Sequence, residues 1–151
     1  MTEPTLGNNV VTQIGIVVRD IETKSRAWSM ILGLPLPEII VTDTWEKAQT
    51  EYKGAPTRAR AKLAFFHMGG VDIELIEPID EPSTWRDQLD RHGDSLHHIA
   101  FQIKGMQERV AYLDAQGLPL LQRGEYTGGR YAYLDGVSQL GTVLELLEND
   151  D

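Results

Sequence analysis

The sequence predicts an α+β protein built from two β-α-β-β-β modules in one chain. Three internal matches carry that reading. Gly33-Leu34-Pro35-Leu36 returns 84 positions later as Gly117-Leu118-Pro119-Leu120. Gln13-Ile14-Gly15-Ile16-Val17-Val18 has a counterpart 85 positions on, in His98-Ile99-Ala100-Phe101-Gln102-Ile103. Ile73-Glu74-Leu75-Ile76-Glu77 has one 71 positions on, in Leu144-Glu145-Leu146-Leu147-Glu148. Three short matches in the same order are hard to reach by chance, and internal repetition constrains architecture more strongly than any single element does.

The elements follow in order. Residues 11–18 alternate large apolar side chains with small or polar ones, the period of a strand. Asp20 is the N-cap of a helix over 21–32, and Gly33 stands where a left-handed C-cap glycine belongs. Strands follow over about 36–42, 60–68 and 71–77. A short linker helix starts at Ser83 or Thr84 and ends at Gly93. The second module repeats the pattern: a strand over about 97–103, a helix over 105–116 closed by Gly117, then strands over 119–125, 130–135 and 142–148. Trp28 and Tyr112 hold equivalent positions and are expected to anchor each helix on its sheet. The modules span about 10–78 and 96–148 of a single domain, 1–151. The spacing between repeats falls from 84 to 71 because the first module is 13 residues longer between its second and fourth strands. That excess lies in 41–62. It is expected to be a functional flap, since long connections in compact domains tend to carry function.

Composition narrows the class. The 151 residues contain no cysteine, which excludes disulfides, thiolate metal sites and a cysteine nucleophile. No apolar run approaches the roughly 18 residues of a membrane span, and residues 1–9 are polar, unlike a signal peptide. A soluble, cytoplasmic protein is expected. Fourteen Lys and Arg against 23 Asp and Glu give a net charge of −9. A chain this acidic repels nucleic acid and anionic membranes. The charge is uneven, however: residues 52–71 hold Lys53, Arg58, Arg60 and Lys62 and no acid, coinciding with the extra length of the first module.

Strand alternation places Ile14, Ile16 and Val18 under the first helix, and Ile99, Phe101 and Ile103 under the second. The opposite face then offers Gln13, Glu74, His98 and Glu145, two pairs related by the repeat. A glutamate at alternate strand positions usually just faces solvent, and a lone histidine among apolar neighbours is usually structural. The repeat relation sets these four apart, as do Gly15 and Ala100, whose small side chains leave room for a cavity. One imidazole, two carboxylates and an amide oxygen suit a divalent cation such as Zn, Ni, Co, Mn or Fe. His97 is expected on the opposite face from His98.

At these residues, over about 10–148, the sequence resembles the vicinal oxygen chelate superfamily, which includes glyoxalases, bleomycin resistance proteins and ring-cleaving dioxygenases. The resemblance implies an eight-stranded, cleft-bearing pseudo-barrel with helices outside. It also implies that Gln13, Glu74, His98 and Glu145 are the metal-ligand positions, and that the protein is a homodimer. Leu96-His97-His98-Ile99-Ala100-Phe101, Glu74-Leu-Ile-Glu-Pro78 and Gly128-Gly129-Arg130 look like methylmalonyl-CoA epimerases. The ligand set departs from theirs and matches one class of glyoxalase lyases instead. Those lyases, however, carry Arg and Asn where this chain has Val17 and Pro78. Gln13 in place of a first histidine argues against ring-cleaving dioxygenation, which uses two His and one carboxylate.

The implied chemistry is proton abstraction next to a carbonyl, with metal stabilisation of the enolate and Glu74 and Glu145 as base and acid. Epimerisation of methylmalonyl-CoA type and glyoxalase-type conversion of a hydroxyketone or thiol adduct are the two catalytic alternatives. Non-catalytic binding of a small molecule such as an antibiotic is the third. Arg58, Arg60, Lys62 and Arg130 are candidates for holding an anionic substrate.

Overall fold

The computed structural model describes residues 5–151; the first four residues of the polar start lie outside the description. The first half of the chain contains β1 (Val11–Val17), α1 (Ile21–Leu32), β2 (Ile40–Val41), α2 (Trp45–Ala48), β3 (Glu51–Tyr52), β4 (Ala55–Pro56), β5 (Arg60–Met68) and β6 (Val71–Ile79). Helix α3 (Thr84–His92) connects it to β7 (Ser95–Gln102), α4 (Met106–Ala115), β8 (Leu120–Tyr126), β9 (Gly129–Leu134), α5 (Val137–Leu140) and β10 (Val143–Asn149). All ten strands belong to one curled sheet, in the order β2-β5-β6-β1-β7-β10-β9-β8-β3-β4. No described helix is long and apolar enough to cross a membrane.

The repeat is written into the topology. β1 and β7 pair antiparallel at the centre of the sheet, and each has a parallel partner on its other side, β6 for β1 and β10 for β7. The helix starts and stops follow the residues that predict them. The Asp20 carboxylate accepts from the Thr23 backbone N–H at 3.1 Å, and Gly33 is left-handed at φ 67°. Ser83 caps α3 by accepting from Arg86 N–H, and Gly117 follows α4 at φ 93°.

Alternation along the strands divides the core in two by face. Ile16, Val18, Phe66 and Leu75 pack with Ile21 and Trp28 of α1. Ile99, Phe101, Leu144 and Leu146 pack with Leu113 and Tyr112 of α4. On the opposite face, Val17, Ala61, Ile76, Tyr133 and Val143 surround Trp85 and Leu89 of α3. The linker helix is therefore a plug inserted against the concave side. The Trp85 indole is 4% exposed, and its Nε1–H donates to the Tyr133 hydroxyl at 3.0 Å.

Two expectations are corrected. The strand expected over 36–42 is reduced to Ile40–Val41, because Pro35 and Pro37 have no N–H to give to a ladder. The sheet has ten strands rather than eight, because the long segment 41–62 adds α2 and the β3–β4 hairpin. Lys53 and Gly54 form the hairpin turn, both at positive φ (51° and 82°), as a two-residue hairpin turn requires. β3 pairs with β8, Glu51 against Arg123 and Tyr52 against Gln122. An insertion from the first half thus covers the far edge strand of the second, satisfying backbone groups that would otherwise invite association.

Removal of the plug is expected to be costly. Trp85→Ala should lower stability by about 3–5 kcal/mol, the range for truncating a large buried aromatic. Urea unfolding followed by far-UV circular dichroism would show this as a lowered midpoint with an unchanged slope.

Candidate metal centre

Strand register brings the four repeat-related side chains to one place. Gly15 of β1 stands opposite Glu74 on one side and His98 on the other. One step along, Ala100 stands between Gln13 and Glu145. The two rows, Glu74–Gly15–His98 and Gln13–Ala100–Glu145, are images of each other under the internal repeat. The small central residue of each row leaves space above it. A Cβ placed on Gly15 would lie 2.1 Å from His98 Cε1, so the imidazole occupies the volume that any other residue would fill.

Glu74, His98 and Glu145 are all buried, at 6%, 1% and 4% exposure. His98 Nε2 lies 3.1 Å from Glu145 Oε1 and 3.3 Å from Glu74 Oε1. None of these three atoms makes a hydrogen bond of proper geometry, although all three are sealed from solvent. Buried polar atoms without partners are expensive, and three aimed at one point call for a shared partner. Two ligands about 2.1 Å from a common ion lie about 3.0 Å apart at right angles and about 3.4 Å apart at the tetrahedral angle. The observed separations fall in that interval. One imidazole and two carboxylates, with the Gln13 amide on the same cavity wall, form a donor set that fits a divalent ion of intermediate hardness.

Without an ion, a proton substitutes. Burial alone would push the His98 pKa down, but Glu145 and Glu74 overcome it and raise it to about 10. Burial, and then the neighbouring Glu145 charge, raises Glu74 against the opposing contact with His98.

His97 departs from the expected pattern. Gly15 pairs with His98 but Ile16 pairs with Leu96, so His97 is the extra residue of a β-bulge. The bulge turns its ring to the same side as that of His98, against Tyr133. The two Nδ1 atoms are 2.7 Å apart, and His97 Nε2 is 3.2 Å from the Thr84 hydroxyl. Burial, followed by the His98 charge, holds the His97 pKa well below its usual value. Neutral His97 then accepts from His98 Nδ1–H and donates through Nε2–H to Thr84. That fixes the tautomer of His98 with Nε2 facing the carboxylates. The adjacent histidine pair was the only sequence signal for this contact.

A cavity of about 620 Å³ opens onto this cluster and is lined by Gln13, Glu74, Glu145, Trp85, Tyr131 and Tyr133, among others. The predicted basic residues do not line it. Arg58 pairs with Glu46 and lies over the Trp45 ring. Arg60 donates to the Thr42 carbonyl, and Lys62 pairs with Glu77. Arg130 is bound by Glu148 and Asp150. Each has an acceptor on the protein, although Thr42 and Glu125, which also pairs with Arg130 at 3.5 Å, belong to the cavity wall.

Two consequences can be measured. Gly15→Ala must displace the His98 ring and should destabilise the protein by about 1–3 kcal/mol, the usual penalty of overpacking, seen as a lowered thermal midpoint. For metal-free protein, the raised His98 pKa stabilises the fold fully below about pH 6.5, and that contribution disappears as pH rises towards 10. Raised Glu74 acts in the same direction. The melting temperature of chelator-treated protein should therefore fall across this window, and His98→Gln should flatten the fall.

Comparison with known proteins follows the same lines. A family model described as the Glyoxalase/Bleomycin resistance protein/Dioxygenase superfamily matches residues 12–133. The uncharacterized protein YqjC of Bacillus subtilis (strain 168) is 29% identical over 143 residues, covering 93% of this chain and 92% of that protein. Among solved structures, hypothetical protein BH1468 from Bacillus halodurans C-125 superposes with a TM-score of 0.64 at 23% identity, covering 93% of this chain and 94% of the other. The methylmalonyl-CoA epimerase from Mycobacterium tuberculosis gives 0.65 at 20% identity, covering 100% and 94%.

Proposed function

Since the chain belongs to the glyoxalase/bleomycin resistance protein/dioxygenase superfamily, we propose that it is a divalent-metal-dependent enzyme that moves a proton on the carbon next to a carbonyl. One observation carries the reading: two buried carboxylates flank one imidazole nitrogen at the closed end of a cavity, and none of the three facing atoms has a hydrogen-bond partner. Residues Gln13, Glu74, His98 and Glu145 would hold the ion. When bound, it supplies Lewis-acid stabilisation of the negative charge that develops on the carbonyl oxygen after the α-proton leaves.

The remaining work falls to the chain's own groups. Glu74 and Glu145 approach the centre from β6 and β10, on opposite sides of the β1–β7 pair. One carboxylate removes the α-proton, and the other stands across the site to return one. Return to the opposite face of the same carbon is epimerisation, the reaction named for the Mycobacterium tuberculosis protein of the same fold. Return to the neighbouring carbon is glyoxalase-type isomerisation. Neutral His97, bonded to Thr84, keeps the His98 ring from rotating. Trp85, Tyr131 and Tyr133 exclude bulk water from the closed end, which strengthens every charge interaction there.

The test is α-proton exchange in D2O, followed by NMR. It would use methylmalonyl-CoA, the methylglyoxal–glutathione adduct and a neutral α-hydroxyketone, with protein loaded with Zn, Ni, Co, Mn or Fe. Metal-loaded protein is expected to exchange at least one of these compounds. Chelation should abolish the exchange, and Glu145→Gln should slow it by about 10²–10⁴-fold, the usual contribution of a positioned base. A purified protein that holds no stoichiometric divalent metal, and gains no thermal stability when one is added, would overturn the proposal.

A further inference from the structure

The walls of the cavity carry information about what enters it. No Lys or Arg lines it. Its acidic groups are four: Glu74 and Glu145 at the closed end, and Asp43 and Glu125 further out. Glu125 is paired with Arg123 at 2.9 Å and with Arg130 at 3.5 Å, but among the described residues no Lys or Arg nitrogen lies within 4.0 Å of Asp43. Even with a divalent ion balancing Glu74 and Glu145, the approach retains negative charge. The other polar lining, which includes Gln13, Thr42, Gln102 and Asn149, is neutral. Most of the surface is apolar, from Leu63, Phe65, Leu147 and the aromatic floor of Trp85, Tyr131 and Tyr133.

From this geometry we infer that the substrate is an uncharged small carbonyl compound with a ring-bearing apolar body. It is not a phosphate- or carboxylate-bearing conjugate such as an acyl-CoA or a glutathione adduct. The inference rests on the proton-transfer reading of the same site and specifies its substrate. An anionic group held against the walls, away from the ion, would lose its hydration with no lining Lys or Arg to pair with, and such desolvation costs several kcal/mol. An apolar ring gains instead from leaving water and from stacking against Phe65, Tyr131, Tyr133 or Trp85. About 620 Å³ lies within the range of pockets that enclose small ligands. Of the basic side chains singled out by the sequence, three have carboxylate partners on the protein. Arg58 and Lys62 are paired with Glu46 and Glu77, and Arg130 with Glu148 and Asp150. Overall charge works in the same direction, since −9 repels anions before they reach the mouth.

The experiment compares two ligands that present identical oxygens to the metal and differ only in distal charge. 2-Hydroxyacetophenone and its para-carboxylate would be titrated into metal-loaded protein. Binding would be read by isothermal titration calorimetry and by quenching of tryptophan fluorescence, with methylmalonyl-CoA alongside. The neutral ketone is expected to bind at least tenfold more tightly than either anion. Asp43→Lys should narrow that ratio by about threefold or more, because it replaces the unpaired negative charge at the approach with a positive one. Equal or tighter binding of the para-carboxylate or of methylmalonyl-CoA, or binding of neither ketone, would overturn the inference. The exchange reaction in D2O separates this from the reading it rests on. Preferential binding of the neutral ketone without exchange supports the substrate class and removes the chemistry. Exchange of methylmalonyl-CoA with weak ketone binding supports the chemistry and removes the substrate class.

Discussion

The antiparallel pairing of β1 with β7, Gly15 against His98, is the contact on which the rest of the protein depends. It joins the two halves into one sheet, and it sets the rows in which Glu74, His98, Gln13 and Glu145 lie. It works only because position 15 has no side chain. The His98 ring fills the space above Gly15, so the imidazole lies over the seam between the halves rather than pointing away from it. A slip of one residue in either strand would turn that strand's contribution, Gln13 and Gly15 or His98 and Ala100, to the helix-covered face.

Two carboxylates and an imidazole, each less than a tenth exposed, are an unstable combination by themselves. The carboxylates repel one another and have lost water; a cation between them, proton or metal, resolves both costs. The structure surrounds the cluster with groups that cannot compete for that role. Tyr131 and Tyr133 are held neutral, their pKa values raised by burial first and by the nearby glutamates next. His97 is held neutral and bonded to Thr84. Arg58, Lys62 and Arg130 are held by acid partners outside the cluster. Positive charge at the closed end therefore comes from His98 or from an ion, and the same selectivity extends outward to the walls of the cavity.

The long segment 41–62 is structural as well as peripheral. Its hairpin extends the second half's sheet at β8, while Val41, Thr42 and Asp43 at its start border the cavity. One insertion thus covers an exposed edge and contributes to the approach to the site. Its basic residues, which looked like a substrate clamp, mostly tie the segment to itself and to β6 through Glu46, the Thr42 carbonyl and Glu77.

By itself the sequence determined the two-fold repeat, the helices with their caps, most of the strands, and the face shared by Gln13, Glu74, His98 and Glu145. These are consequences of local periodicity and of spacing between copies, which a linear reading measures directly. Only the tertiary structure decided three other matters. The bulge at His97 shifts the period of β7 by one residue, and no composition signal marks a bulge, so both histidines turn inward where alternation would separate them. The hairpin within 41–62 is two residues per strand, too short for a periodic signal; it is held by its pairing with β8, far away in sequence. The fate of each charge was decided by distance in space. Arg58, Arg60 and Lys62 cluster in the sequence and Arg130 lies far along it, but a carboxylate or carbonyl of the protein lies within hydrogen-bonding or ion-pairing reach of each. An ion pair forms with the nearest acceptor, and which acceptor is nearest is a property of the folded chain.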